Sequence, residues 1–334
     1  MAEAVIEVRR GDTVESLHHV HIAVVDGHGR LRAHAGDPGF IAFARSAIKP
    51  MQTVPLIEDG VADRLGFTEA EIALCCASHS GEPRHVAAVD AMLRKVGAME
   101  DALACGPHEP LGRQAAQDLA RQRLEPTRVH NNCSGKHTGM LALARAHGWP
   151  LTGYHEAGHP VQERMQQELA RWAELDADDM ETAVDGCGVV TFALPMDRLA
   201  RAFARFAAAA RRGDDAPARI VQAMTRNPEY VAGTERLCTE LMRVARGRIF
   251  AKVGAEGVYC AGVPGAELGI ALKVEDGAVR AAEPALIATL KALAVLSDDE
   301  VADLARFAEP DITNTRGEQV GVLRARIRLE AHHE

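Results

Sequence analysis

"VHIAVVDGHGRLRAHAGD", Val20 to Asp37, reads as a strand, a turn at Asp26-Gly27-His28-Gly29, and a second strand. Two strands joined by so short a turn form an antiparallel hairpin. The C-terminal third repeats the theme. "RIFAKVGA", "GVYCAGVP", "LGIALKVED" and "VGVLRARIRL" are short strand-like runs separated by Gly, Pro or Asp turns, and these turns are too short for parallel crossovers. A helix at "PALIATLKALAVL" precedes the last strand. Between the two strand-rich ends lie "EPRHVAAVDAMLRKVG", "GKHTGMLALARAHG", "HPVQERMQQELARWAEL" and "GTERLCTELMRVARG", each with apolar residues at helical spacing. The expected fold is mixed α/β of the α+β kind, with one antiparallel sheet built from both termini and flanked by helices. We expect one catalytic unit over residues 1–334, its sheet drawn from about 1–45 and 249–334 and its helices from about 46–248.

Composition narrows the function. A hydrophobic content of 47% supplies a packed core. A formal net charge of -9 without a long basic run argues against nucleic acid or an anionic membrane as the main partner and suits a small-molecule substrate. The N-terminal "MAEAVIEVRRGDTVES" has charges where a secretory signal needs an apolar core, so a cytoplasmic location is expected. No apolar run reaches the roughly 18 residues of a membrane span. In "RLARAFARFAAAARR", Arg198 to Arg212, arginines at helical spacing predict an amphipathic surface helix. Seven cysteines, an odd number without a signal, favour free thiols or metal ligands over disulfides.

The chemistry begins at "RSAIKPMQ", Arg45 to Gln52. Ser46 and Lys49 share a face if the segment turns helically, and Pro50 fits the first turn of a helix starting there. A serine hydroxyl needs a base, and a lysine serves as one when its ammonium is destabilised by burial or a neighbouring cation. Lys252 in "AKVGAEG" ends a strand and is followed by glycines that permit close backbone approach. Ser78 lies in "CCASHSGEPRH", a loop that leads into a helix opening at Glu82-Pro83. In "HNNCSGKHTGM", Cys133, Lys136 and His137 bracket a turn into a helix, and Cys187 sits in the glycine-flanked "DGCGV". Two thiolates and a nitrogen suit zinc with one position left open.

The order S-x-x-K, loop serine, K-x-G resembles the serine-lysine hydrolases, among them penicillin-binding proteins and serine β-lactamases. "RSAIKPMQ", "CASHSGEPRH", "HNNCSGKHTGML", "YHEAGHPVQ", "DGCGVVTFALP" and "KVGAEGVYC" together resemble more closely the class 3 asparaginases, the family first associated with rhizobia. That resemblance spans residues 45 to 260. It implies a β-lactamase-like architecture, hydrolysis of L-asparagine to aspartate and ammonia, and two serine-lysine pairs, Ser46 with Lys49 and Ser78 with Lys252; Ser46 is the expected nucleophile with Lys49 as its base, and Ser78 the alternative nucleophile. It further implies a zinc site at Cys133, Lys136 and Cys187. Arg45, His137 and Asp185 are then candidates for holding the substrate, an aspartate suiting an α-amino group and a cation a carboxylate. The expected assembly is a homodimer. Rival readings are a β-lactamase-like serine amidohydrolase, which would favour an S-D-N element and an export signal, and a zinc-carrying amino-acid sensor without turnover.

"HEAGH", His155 to His159, matches the zinc-protease pattern H-E-x-x-H, which requires both histidines on one continuous helix. Gly158 and Pro160 argue against that helix, which is expected to start only at Pro160. No G-x-S-x-G elbow, P-loop or dinucleotide fingerprint is present.

Overall fold

A computed structural model of the chain describes residues 4–332, so the first three and last two residues of the expected 1–334 unit lie outside it. The strands in chain order are β1 (Ala4–Arg10), β2 (Thr13–Asp26), β3 (Leu31–Ala35), β4 (Ile41–Phe43), β5 (Glu181–Val184) and β6 (Val190–Pro195). There follow β7 (Phe250–Val253), β8 (Val258–Val263), β9 (Leu268–Val274), β10 (Asp311–Thr313), β11 (Gln319–Ile327) and β12 (Glu330–Ala331). The chain divides into two compact units: residues 1–47, 193–208 and 240–334 form the first, and residues 48–192 and 209–239 the second.

The first unit is an antiparallel sheet in the order β10-β11-β1-β2-β9-β8-β7, with β3 pairing both β2 and β12. The hairpin read from Val20–Asp37 is there, Ile22 standing opposite Ala35. Its first strand starts earlier than expected. Thr13–His19 is a polar, mostly exposed half of β2 that pairs with β1, and Val20–Asp26 is an apolar, buried half that pairs with β9. β1 falls inside the residues expected for the sheet, about 1–45, although the sequence pattern alone singles out no strand at Ala4–Arg10.

The helix Met196–Arg212 corrects the expectation of a surface helix. Leu199, Ala200, Phe203, Ala204, Phe206, Ala207 and Ala208 are buried, and the exposed arginines are confined to its end. The reason is glycine in the sheet. Phe250, Gly262 and Gly269 stand opposite one another in β7, β8 and β9. A Cβ on Gly269 would lie 2.1 Å from the Ala200 carbonyl oxygen, so the helix backbone rests directly on the strand. Phe203 stacks on Phe250 with ring centroids 5.6 Å apart. The other long helix of this unit, Val279–Ala292, packs on β8, β9 and β11 through Ala282, Leu286 and Leu290.

The second unit is helical: Lys49–Glu58, Glu69–Cys75, Pro83–Val96, Arg113–Gln122, Ser134–Ala146, Pro160–Ala173 and Asp215–Arg226 are its longer helices. Ser134–Ala146 is its centre, buried on all sides from Ser134 to Ala144. Gly135 and Gly139, one turn apart, let it approach Glu69–Cys75. A Cβ at Gly135 would meet the Leu74 carbonyl oxygen at 2.4 Å, and one at Gly139 the Cys75 sulfur at 3.1 Å. This contact brings the loop after Cys75, with Ser78, beside the start of the central helix, with Cys133, Lys136 and His137. No helix among the described residues is long and apolar enough to cross a membrane.

Candidate active site

A 3-10 turn over Arg45–Ile48 runs into the helix Lys49–Glu58, with Pro50 in its first turn as expected. Arg45 sits at φ 50, an uncommon left-handed conformation for a residue with a side chain. Lys49 is fully buried. Its Nζ donates to the Ala77 carbonyl at 2.5 Å, to Ser78 Oγ at 3.1 Å and to Cys133 Sγ at 3.1 Å. An ammonium removed from water is tolerated only with such a set of acceptors, so this lysine is no solvated surface charge. Ser78 is also buried, and its backbone N–H donates to the Val231 carbonyl at 3.0 Å. Of the serine-lysine contacts, the one made inside the second unit joins Lys49 to Ser78.

Ser46 and Lys252 belong to the first unit. Ser46 is half-buried, whereas Lys252 is fully buried in β7 opposite Cys260 and donates to the Val253 carbonyl at 2.7 Å. Gly254 explains the K-x-G pattern. A Cβ there would meet the Ala44 carbonyl oxygen at 3.1 Å, so the strand end after Lys252 lies against the chain just before Arg45 and Ser46.

Around Cys133 the second unit gathers a polar interior. Asn131 Oδ1 accepts the Cys133 N–H at 2.9 Å and fixes the turn before the central helix. Lys136 Nζ donates to Cys187 Sγ at 3.2 Å, and Cys133 hydrogen-bonds the same sulfur. That bond from Cys133, aided by the Lys136 charge, holds the Cys187 thiol down at about 5, against the opposing effect of burial. The same bond, with burial, pushes Cys133 up to about 12. Of the two sulfurs, Cys187 is thus the one favoured as a thiolate and Cys133 the one favoured as a thiol. Burial works against the Lys136 charge but is outweighed by Cys187, Cys133 and Asp185, which raise its pKa. Asp185 opens the turn that carries Cys187: its Oδ1 accepts the Gly186 N–H at 2.7 Å, and its carbonyl accepts the Gly188 N–H at 2.8 Å, where Gly188 takes φ 90.

Among the described residues no group of three or more His, Cys, Asp or Glu converges as a metal site. The donor set of Cys133, Cys187 and Lys136 nonetheless fits zinc, since two soft sulfurs and one amine meet there. A metal there requires Lys136 and Cys133 to release protons. The remaining cysteines, Cys75, Cys76, Cys105, Cys238 and Cys260, are buried thiols that form no disulfide, in keeping with the sequence expectation.

Two parts of this interior escaped sequence reading. In the loop after Ser78, His79 Nε2–H donates to Ser134 Oγ at 2.9 Å and its Nδ1 accepts from the Gly81 N–H at 3.2 Å. His85 stacks on it with centroids 5.0 Å apart and bonds the Glu229 carbonyl at 2.7 Å. Tyr154, the second omission, is buried with its hydroxyl 2.6 Å from His137 Nδ1. Burial first, then the Lys136 charge, depresses His137 to about 3, so its imidazole is neutral. The decisive partners are distant in sequence, Ser134 for His79, Glu229 for His85 and Tyr154 for His137, and no local spacing announces them. "HEAGH" is a turn, and the helix begins at Pro160 with the His159 side chain accepting from the Val161 N–H at 3.2 Å, as expected.

The family model of L-asparaginase II matches residues 6–325. The chain belongs to the L-asparaginase II family. No curated protein matches it. Among solved structures, that of Mglu in its native form in the presence of 4.3M NaCl is 16% identical with a TM-score of 0.45, over 83% of this chain and 61% of that one. Native Mglu in a second structure is 18% identical with a TM-score of 0.37, over 84% and 66%. The chain thus spans less than two thirds of the length of these structures.

Proposed function

We propose that this member of the L-asparaginase II family hydrolyses the side-chain amide of L-asparagine to aspartate and ammonia. The observation that supports the chemistry best is the buried Lys49 Nζ 3.1 Å from Ser78 Oγ. Deprotonated, Lys49 takes the Ser78 proton as Oγ bonds to the amide carbon, and passes it to the departing nitrogen, which leaves as ammonia. Water then breaks the acyl ester and restores the serine. Ser46 as nucleophile is the second reading, favoured by its greater exposure. The parts of Ser46, Lys252 and Arg45 rest on the sequence resemblance alone.

We assign zinc to Cys133, Lys136 and Cys187, where it would supply a positive charge that orients a substrate oxygen. Asp185 and His137, next to these ligands in the chain, are assigned to the amino-acid end of the substrate. A cytoplasmic homodimer acting on a small molecule completes the reading. Ammonia release from L-asparagine by the purified protein tests it, with glutamine and a chromogenic β-lactam alongside. Glutamine, one methylene longer, is expected to be slower by roughly 10 to 200 fold. Turnover of the β-lactam without ammonia from asparagine contradicts the reading in favour of the β-lactamase-like rival, and no turnover of any of the three favours the sensor.

A further inference from the structure

We propose that Tyr154 is a positioning residue that holds His137 as its Nε2–H tautomer, so that this N–H is the donor for an oxygen of a small amino-acid amide. The inference deepens the asparagine reading above and rests on it for the class of ligand.

The argument is one of hydrogen-bond supply. The Tyr154 hydroxyl accepts the Ala104 N–H at 2.9 Å and lies 2.6 Å from His137 Nδ1. If Nδ1 carried the proton, the tyrosine oxygen would accept twice, and both its own O–H and the Nε2 lone pair would be stranded in the interior. If Nε2 carries it, the Tyr154 O–H donates to Nδ1 and a single group is left over. Buried polar groups are rarely left unpaired, so the second arrangement wins. The leftover group is informative. His137 is 0% exposed, and its Nε2 has no partner among the described residues. The His137 ring lies within electrostatic reach of Lys136, Cys133 and Lys49, so it belongs to the same polar interior.

A second orphan lies close by. His155 Nδ1 is also buried without a partner among the described residues, and its ring borders Gly188, where a Cβ would sit 3.7 Å from Cδ2. Two unmatched imidazole nitrogens beside the Cys187 turn point to a polar ligand. A neutral N–H donor suits a carboxylate or carbonyl oxygen, and it adds no further charge next to Lys136.

The test uses the full chain labelled with ¹⁵N-histidine. At about pH 6 to 8, wild-type His137 is expected to show a protonated Nε2 and an unprotonated Nδ1, with the Nε2–H signal moving on addition of L-aspartate. Tyr154→Phe is expected to give mixed tautomers and to raise KM for asparagine about tenfold while kcat stays within about threefold. His137→Gln, whose amide N–H reaches the Nε2 position, should keep more affinity than His137→Asn. A wild-type Nδ1–H or imidazolium, a tautomer and KM unmoved in Tyr154→Phe, or equal losses for the Gln and Asn variants overturns the inference. If Tyr154→Phe does not fold, the wild-type spectrum and the Gln/Asn pair decide. A wild type that releases no ammonia contradicts the asparagine reading, while the spectrum and the L-aspartate shift still judge Tyr154.

Discussion

The two units differ in what they bury. The sheet unit is filled with Ile22, Val24, Ile270, Leu272 and Phe250 against Gly262, and Lys252 is a rare charge within it. The helical unit buries Lys49, Ser78, His79, His85, Lys136, His137 and Glu168. Apolar burial stabilises without regard to direction, at about 25 cal/mol per Å². A buried polar network stabilises only when every member finds its partner, and replacing it by packed apolar groups is often neutral or favourable. An interior as polar as that of the second unit is therefore better explained by chemistry than by stability. Substitutions in the two units should then fail in different ways.

The largest effect is expected in the sheet. Gly269→Val places a side chain 2.1 Å from the Ala200 carbonyl oxygen, which the helix cannot relieve without leaving the strand. A loss of about 3 kcal/mol or more in urea unfolding, or failure to accumulate as soluble protein, is expected. Gly106→Ala, where a Cβ meets nothing within 4 Å, serves as the control and should be nearly silent. Equal behaviour of the two would dissolve the account of how Met196–Arg212 seats on the sheet.

The same contrast explains what was legible in the sequence. Val20–Asp37 and the C-terminal strands announce themselves through apolar runs between turn residues, and S-x-x-K announces Lys49. β1 was placed only by region, within about 1–45, because its apolar run is short and ends in two arginines; the burial of Met196–Arg212 was missed because it depends on glycines some 70 residues away in the chain. The pairing inside the site was hidden too. Lys49 reaches Ser78 and Cys133 because Gly135 and Gly139 draw two helices together, a fact of packing that spacing along the chain does not record.

The next prediction concerns metal. Purified protein should carry about one zinc per chain, lost in a Cys133→Ala, Cys187→Ala double variant and retained when any of the other five cysteines is replaced. Full occupancy in the double variant would return both sulfurs to a purely structural role.

The smallest effect is a slope. Burial, with the neighbouring His85 and Lys49 charges, holds His79 well below its ordinary 6.5, and burial also lowers His85. Below pH 6.5 the unfolded chain binds protons that these folded imidazoles refuse, so stability falls as pH falls. Each such histidine contributes about 1.4 kcal/mol per pH unit until its folded pKa is reached. His79→Gln keeps a donor for Ser134 Oγ and removes one of these protons. The slope of unfolding free energy between about pH 6.5 and 5 should drop by up to that amount, and an unchanged slope would mean that His79 is already charged in the folded protein.

The central claim is that Lys49 is buried for catalysis, and Lys49→Met tests it most directly because methionine fills much of the same space without the charge. Ammonia release from asparagine should fall by about 10² or more, the usual scale for loss of a general base, while the melting temperature is unchanged or higher. A variant that turns over asparagine at near the wild-type rate, or one that loses activity only because it unfolds, would contradict the assignment of Lys49 as the base for Ser78.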